Sequence, residues 1–277
     1  MRFEHAAVIA MVVIGAVRGM RGRPAPPFND LDFTPTHPTP VLYIHGINSR
    51  VNAFRQNAEY LRDRGFWVWG YDYGDMIAPG FFGIGNLDEI IHDIAQHVDT
   101  VLHATGAAQV DLVAHSQGGL MAKLYIAAGG AAKVRRLVAM GANFHGTDLR
   151  GRVERYKPII DGYPRFASAV ATPGAVQQLS GSPWSLAHAS VPDTDPRVVY
   201  TSLYSPADTV VTPNSASILV PVDGADVVNI DVSKAYGGYA PLHALMPRDP
   251  VLAELTRWGL ERAVGEHTPP KIAWLTS

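Results

Sequence analysis

The chain of 277 residues contains no cysteine, which excludes disulfide scaffolds, cysteine nucleophiles, iron–sulfur clusters and cysteine-rich zinc sites. It also lacks an excess of charge, because 23 Lys and Arg residues face 25 Asp and Glu residues. A protein that binds nucleic acid without sequence preference is expected to be clearly basic, so we predict no nucleic-acid partner. Apolar residues make up 47% of the chain and charged residues 17%, values that exclude a disordered protein and indicate a folded one.

An apolar run near the N-terminus, Ala6–Val17, has about twelve residues, which is too short for a bilayer that takes about 20. Its length matches the hydrophobic region of a signal peptide. Three arginines follow the run, namely Arg18, Arg21 and Arg23, and positive charge there opposes export. We expect a secreted or envelope-associated protein. The alternatives are an apolar N-terminal helix packed on the body of a cytoplasmic protein, or a start codon placed upstream of the true one.

The domain organisation follows from composition. Residues 1–39 are predicted to hold the apolar segment and most of a proline-rich arm, Pro24–Pro40, which leads into the first strand. Residues 40–277 are predicted to form one domain. A stretch within 147–195 exceeds ordinary connection lengths and is interpreted as a lid, or alternatively as an ordinary helix and loop packed on the sheet. Its candidate acyl-chain face consists of Tyr156, Ile159, Ile160, Tyr163, Phe166 and Val170.

From residue 41 onward, short β-branched or aromatic runs alternate with segments of helical periodicity. This alternation predicts the α/β class, with a mostly parallel sheet and helices on both faces. Several strands are continuously apolar, as expected for strands that are buried on both sides. The predicted strands are Val41–His45, Phe66–Tyr71, Val110–Ala114, Val134–Met140, Val198–Leu203 and Val227–Val232, and the predicted helices are Asn52–Arg64, Leu87–Leu102, Gly118–Gly129 and Pro250–Val264.

Ser116 is the candidate nucleophile. It lies in the sequence Ala-His-Ser-Gln-Gly-Gly, between a predicted strand and a predicted helix, with small residues two positions before and after it. Small residues are needed there because a tight turn brings the strand and helix backbones together and lifts the hydroxyl out of the sheet. The helix N-terminus behind the serine favours developing negative charge. The alternative is a turn serine that only caps the helix.

A serine hydroxyl needs a histidine to take its proton and a carboxylate to hold that histidine in the right tautomer. In hydrolases whose serine stands on such a strand-to-helix turn, the acid and then the histidine follow the serine, each after a strand. Asp208 follows the strand Val198–Leu203, and His243 follows the strand Val227–Val232. We therefore predict the triad Ser116, Asp208 and His243. The rivals are Asp223, Asp226 and Asp231 for the acid, and His188 and His267 for the base.

Acyl transfer also needs two donors aimed at the oxyanion. The His45-Gly46 pair after the first strand lets the backbone turn towards the nucleophile, and the predicted donors are the amides of Ile47 and Gln117. An ordinary glycine turn is the alternative. No metal or cofactor is predicted, since no pair of histidines has metalloprotease spacing. The remaining histidines are interpreted as structural (His92, His97 and His103) or as pocket-lining (His115 and His145).

With these residues in place, the chain resembles the α/β-hydrolase lipases, in particular the small bacterial class 2 lipases, over about Pro40 to Val264. The segments that carry the resemblance are Pro40–Gly46, Ala114–Gly119, Asn143–Thr147, Gln177–Ser182 and Asp208–Val211. The resemblance implies a secreted carboxylic ester hydrolase acting on acylglycerols or related lipid esters. The expected partners are a lipid or small ester and a lipid interface, with no obligate protein partner. The alternatives are an acyltransferase or amidase of the same fold, or a non-catalytic binding module.

Overall fold

The computed structural model describes residues 27–74, 82–163, 167 and 171–275. Within those ranges no helix combines the length and the apolar character needed to span a bilayer. The predicted signal-like run Ala6–Val17 lies outside the described residues. So do the side chains of the predicted acyl-chain face other than that of Tyr163, which is 69% exposed.

Six parallel strands form one sheet in the order β2-β1-β3-β4-β5-β6, which confirms the predicted α/β class. The strands are β1 (His37–Ile44), β2 (Phe66–Gly70), β3 (Val110–His115), β4 (Val134–Met140), β5 (Val199–Tyr204) and β6 (Asp226–Asp231). The helices are α1 (Arg55–Arg62), α2 (Leu87–Thr105), α3 (Gln117–Ala127), α4 (Arg152–Gly162), α5 (Pro173–Gln177), α6 (Pro183–Ala187), α7 (Val232–Ala235) and α8 (Pro250–Glu261). Turns of 3₁₀ helix lie at Val51–Phe54, Gly130–Ala132, Asn214–Ser217, His243–Arg248 and Ala273–Leu275.

Two hydrophobic clusters cover the two faces of the sheet. Successive strand residues point to opposite faces, so Leu42 and Ile44 join one cluster while Val41 and Tyr43 join the other. The first cluster contains the apolar faces of α2 and α3, and the second contains those of α1 and α8. The strands are therefore buried on both sides, and their carboxyl ends meet at one edge where a site can form.

The structure differs from the sequence predictions at the N-terminal side of the sheet. Strand β1 begins at His37, inside the segment predicted as an arm, and the His37 ring stacks on Phe66 at 3.8 Å. Phe28 is buried and packs edge-on against Tyr43 at 5.6 Å. Proline is tolerated in this strand because the pairing of β1 with β2 is irregular between His37 and Val41, and a bulge does not need every backbone N–H.

Three predicted helices were too long, and the simplest case is Gly118–Gly129, for which α3 ends at Ala127. The predicted helix Asn52–Arg64 is instead a 3₁₀ turn followed by α1, which ends at Arg62. Helix α8 ends at Glu261 rather than at Val264 because Arg262 takes an extended conformation and turns back to the sheet. There its buried guanidinium donates to the Tyr200 carbonyl oxygen at 3.0 Å and to the Asp226 carboxylate at 2.9 Å.

Candidate active site

Ser116 stands on a strained turn between β3 and α3. Its backbone angles are φ 56° and ψ −128°, a region that a residue with a side chain rarely adopts. The turn is held because the Ser116 amide donates to the Met140 carbonyl oxygen at 3.1 Å, and Ser116 itself precedes the first residue of α3. The N-terminal end of the helix dipole therefore lies at Ser116, where it favours negative charge.

A glycine is required two residues after Ser116 because two backbone segments are in close contact there. A side chain at Gly118 would bring its Cβ to 2.4 Å from the Ile44 carbonyl oxygen and to 2.6 Å from the His45 carbonyl oxygen. These distances are far inside van der Waals contact, so only glycine fits. Small residues were predicted in this motif because the strand and helix backbones approach each other closely. The contacts at Gly118 are of this kind.

The structure brings Ser116, Asp208 and His243 together. The Ser116 Oγ lies 3.0 Å from His243 Nε2, and His243 Nδ1 lies 2.6 Å from Asp208 Oδ2. Because a carboxylate only accepts, Nδ1 carries the proton and Nε2 is free to accept the serine proton. All three side chains are buried. This arrangement can deprotonate an alcohol during attack on an acyl carbon.

Asp208 is fixed by its own turn after β5. Its Oδ1 accepts the backbone N–H groups of Val210 at 2.8 Å and Val211 at 2.9 Å, which leaves Oδ2 for the histidine. The rival residues lie elsewhere. Asp223 is exposed, Asp226 pairs with Arg262 and His267, Asp231 caps α7, and His188 stacks on Trp184.

Gly141, directly after β4, is a site residue that the sequence analysis missed. It has φ 53°, and a Cβ there would lie 3.1 Å from His243 Nδ1, 3.2 Å from Asp208 Oδ2 and 2.7 Å from Met246 Sδ. A side chain at 141 would therefore press on the hydrogen bond between Asp208 and His243. In the sequence, only its position directly after a predicted strand could have pointed to this glycine. That signal is weak because the chain has 26 glycines.

The predicted oxyanion loop lies against Ser116. A Cβ on Gly46 would lie 2.9 Å from the Ser116 Cβ, so the backbone before Ile47 contacts the serine directly. His45 holds this backbone: its Nδ1 donates to the Gly46 carbonyl oxygen at 2.8 Å, and its Nε2 accepts the Tyr73 amide at 3.3 Å. A trans peptide points its N–H opposite to its C=O, so fixing the Gly46 carbonyl also fixes the direction of the Ile47 N–H.

His45 is neutral in this environment. Burial lowers the pKa of His45 to about 4, and the ring stacks on Tyr73 at 4.0 Å. The Tyr73 hydroxyl also donates to the His45 carbonyl oxygen. Tyr73 is the second residue of the site that the sequence analysis missed, since nothing in its local sequence indicates a contact with residue 45.

Gln117, the other predicted oxyanion donor, is the first residue of α3 and is fully buried. Its side-chain amide lies between Gly83 and Gly174, where an added Cβ would be 3.2 Å from Oε1 and from Nε2 respectively. Within the described residues neither amide atom has a hydrogen-bond partner. The predicted role of Gln117 depends on its backbone N–H, and the catalytic roles of all five predicted site residues stay predictions.

The remaining histidines divide into buried and exposed groups. His97 stacks on Tyr71 at 4.4 Å, and burial lowers the pKa of His97. His145 lies 3.1 Å from the Asp193 carboxylate. His115 is buried against His243, while His92 and His103 are exposed on α2. Across the described ranges no group of three or more His, Asp or Glu side chains is placed to hold a metal ion.

Comparisons with solved structures identify the fold. Aspergillus fumigatus lipase B superposes with a TM-score of 0.64 at 17% identity, over 90% of this chain and 57% of that chain. A gene product of Listeria innocua gives 0.55 at 16% identity, over 83% of this chain and 96% of its own. A thermophilic esterase from Thermogutta terrifontis gives 0.50 at 18% identity, over 83% and 91%. This chain thus spans little more than half the length of the fungal lipase, and the shared architecture is the α/β-hydrolase fold.

No curated protein matches the chain by sequence. A family model does match, over residues 36–178, which is just over half of the chain. This range contains β1 to β4, the predicted oxyanion loop and the turn at Ser116. The model is described as serine aminopeptidase, S33, within the Hydrolase_4 group. The chain therefore belongs to this S33 family of α/β hydrolases.

Proposed function

We propose that this protein hydrolyses carboxylic esters, of lipids or of small alcohols, through an acyl-enzyme on Ser116. The observation that carries the proposal is the continuous hydrogen-bonded path from the Ser116 hydroxyl through His243 to Asp208, with distances of 3.0 Å and 2.6 Å. Such a path activates a serine because the histidine accepts its proton as the oxygen attacks.

In the proposed mechanism, Ser116 Oγ attacks the ester carbonyl and His243 Nε2 takes the hydroxyl proton. The amides of Ile47 and Gln117 stabilise the oxyanion of the tetrahedral intermediate. His243 then gives its proton to the departing alcohol, and the Ser116 oxygen keeps the acyl group. A water molecule then attacks the acyl carbon while His243 takes its proton. His243 returns this proton to Ser116 Oγ as the carboxylic acid leaves. Throughout, Asp208 holds the ring and stabilises its positive form.

The apolar surroundings of the base support lipid or apolar acyl substrates. Leu242 and Leu245 flank His243 in the chain and are 56% and 43% exposed. Exposed apolar side chains at a site are suited to acyl chains or to contact with a lipid interface. A secreted or envelope location remains part of the proposal, and it rests on the sequence of the N-terminal run alone.

The test is turnover of p-nitrophenyl butyrate by the wild type and by Ser116→Ala. We expect a loss of about 10⁶-fold in kcat by analogy with serine proteases, with thermal unfolding unchanged. The matched control is Ser190→Ala, an exposed serine that should keep full activity. A phosphonate probe should label Ser116 and no other residue. Full activity in Ser116→Ala would refute the nucleophile, and an absence of labelling would favour a non-catalytic binding module.

A second candidate is hydrolysis of amide bonds, favoured by the description of the matching family as a serine aminopeptidase. The same triad supports both reactions, since each passes through an acyl-enzyme. Turnover of aminoacyl p-nitroanilides compared with p-nitrophenyl esters separates them. Addition of an alcohol acceptor, followed by product analysis, detects acyl transfer. Esters of increasing chain length, with an emulsified triacylglycerol as the last member, separate an esterase from a lipase.

A further inference from the structure

A second imidazole lies directly against the proposed base. His115 is the last residue of β3 and the neighbour of Ser116, yet the proposed mechanism gives it no step. Its ring is 4.6 Å from the ring of His243, at an angle of 41°, and the residue is 6% exposed. A buried ionisable group beside the base requires an explanation.

The hydrogen bonding of His115 defines its tautomer. Its Nε2 lies 3.0 Å from the backbone carbonyl oxygen of His243, and a carbonyl only accepts. Nε2 therefore carries the proton and Nδ1 carries none. Within the described structure this buried Nδ1 has no hydrogen-bond partner. Burial also lowers the pKa of His115 well below its usual range, which agrees with a neutral ring.

Packing alone does not account for a histidine at this position. The ring fills space beside Phe54, at 6.4 Å and edge-to-face, and a phenylalanine or leucine would fill it without burying an unpaired nitrogen. An unpaired buried nitrogen is unfavourable relative to an apolar atom. What the apolar residues lack is the donor to the His243 carbonyl, so this hydrogen bond is the property that distinguishes histidine here.

We propose that His115 is a positioning residue for the base. By donating to the His243 carbonyl, it ties the backbone of the base to the backbone that carries the nucleophile, and so sets the approach of Nε2 to the Ser116 hydroxyl. The neutral state of His115 is part of this role. When His243 takes the serine proton it becomes a cation, and a second cation in contact with it would oppose that step. The inference rests on the proposed function.

Two variants separate the hydrogen bond from the packing. His115→Phe keeps a ring beside Phe54 and removes the donor, whereas the side-chain amide of His115→Gln places an N–H near the position of Nε2. We expect His115→Phe to lower kcat for p-nitrophenyl butyrate about 10- to 100-fold, as misplacement of a catalytic group does, with KM and thermal unfolding close to wild type. His115→Gln should recover most of the loss. His115→Leu is a second donor-free variant should the phenylalanine not fold.

Proton and nitrogen NMR of the substrate-free protein gives a readout that does not depend on turnover. The His115 ring should show a protonated Nε2 and an unprotonated Nδ1. The low-field proton shared by His243 Nδ1 and Asp208 should broaden or move in the donor-free variants and be retained in His115→Gln. A purely structural role for His115 would leave this signal unchanged.

Several results would overturn the inference. These are wild-type kcat in His115→Phe, equal losses in the phenylalanine and glutamine variants, or a His115 ring protonated at Nδ1. Failure of the proposed function is a different result. In that case the wild type itself turns over no ester, while the NMR measurements still report whether His115 holds His243.

Discussion

The edge that carries the triad and the long connection between β4 and β5 are built in opposite ways. At the triad edge Ser116, Asp208 and His243 are all buried, and Gly118 and Gly141 leave no room for a side chain. In the connection, which we define as residues 147–195, α6 has no buried residue, and Leu186 is 63% exposed.

This difference separates two tasks of an enzyme. The triad edge must hold three groups at fixed distances, and close packing against the sheet provides that. The exposed part of the connection around α6 is under no such constraint, so substrate preference can vary there without loss of the chemistry. Substitutions at the edge should therefore affect kcat, and substitutions in the connection should affect the choice of substrate.

The largest expected effect is at the edge. Asp208→Asn should lower kcat about 10⁴-fold, as removal of the triad carboxylate does in serine proteases, because the amide no longer holds His243 in the tautomer that accepts the serine proton. KM and the unfolding midpoint should change little. Asp223→Asn, an exposed aspartate, is the control and should match the wild type in the same ester assay. The reverse pattern would assign the acid to Asp223.

The next effect concerns the ion pair that joins the connection to α3, the helix that follows Ser116. Lys123 on α3 lies 2.6 Å from Asp193 in the connection, and both side chains are buried. Lys123→Met leaves a buried carboxylate without this partner and should reduce the free energy of unfolding by about 3 kcal/mol. The control Lys133→Met breaks an exposed ion pair with Asp99, so the free energy of unfolding should fall by less than about 1 kcal/mol. Urea unfolding measures both, and equal losses would contradict a structural link between the regions.

A third effect is the acid sensitivity of the edge. The pKa of His45 falls from 6.5 to about 4 on burial, so below pH 6.5 the unfolded chain takes up a proton that the folded chain does not. The stability that neutral His45 provides is complete above pH 6.5 and decreases as the pH falls towards 4, by about 3 kcal/mol. Burial lowers the pKa values of His97 and His115 in the same direction.

Urea unfolding at intervals between pH 7 and pH 4 measures this loss. The pKa values of Asp193 and Asp195 fall from 3.8 to about 2, so most of the stability that these carboxylates contribute is lost below pH 4, outside the measured range. His45→Gln removes one titrating group and should flatten the pH dependence. A variant with the wild-type slope would show that His45 is not the source.

The smallest effect is expected in the connection. Leu186→Ser replaces an exposed apolar side chain and should change the free energy of unfolding by less than about 0.5 kcal/mol. Its kcat for p-nitrophenyl butyrate should equal that of the wild type, while turnover of an emulsified triacylglycerol should fall if this surface meets lipid. A large loss on the soluble ester would contradict the separation of the two regions.

The sequence predicted most of the fold, and the structure places three of the five predicted site residues within hydrogen-bond distance of one another, while their catalytic roles stay predictions. Strand–helix alternation is a local pattern, and the order of Ser116, Asp208 and His243 relative to the strands follows from how parallel strands align their carboxyl ends. Boundaries were less accurate at residues 37 and 261, where contacts with distant residues decide the ends. The His37 ring stacks on Phe66, and Arg262 leaves α8 to reach Asp226.

Residues that act by contact across the fold could not be predicted. Tyr73 supports His45, and Lys123 pairs with Asp193 over 70 positions in sequence. Neither pair has a local motif, because each depends on which elements the sheet order brings side by side. The same holds for His115, which the sequence placed in the pocket without indicating its hydrogen bond to His243.

The absence of a side chain at Gly141 has a practical consequence for protein engineering. Mutant libraries aimed at new substrates commonly randomise every position near a nucleophile. At 141 even an alanine would wedge between the acid and the base, since its methyl carbon would come within about 3 Å of both. We expect substitutions there to lower activity, so a library for this hydrolase should keep Gly141 constant and sample exposed positions of the connection such as Leu186.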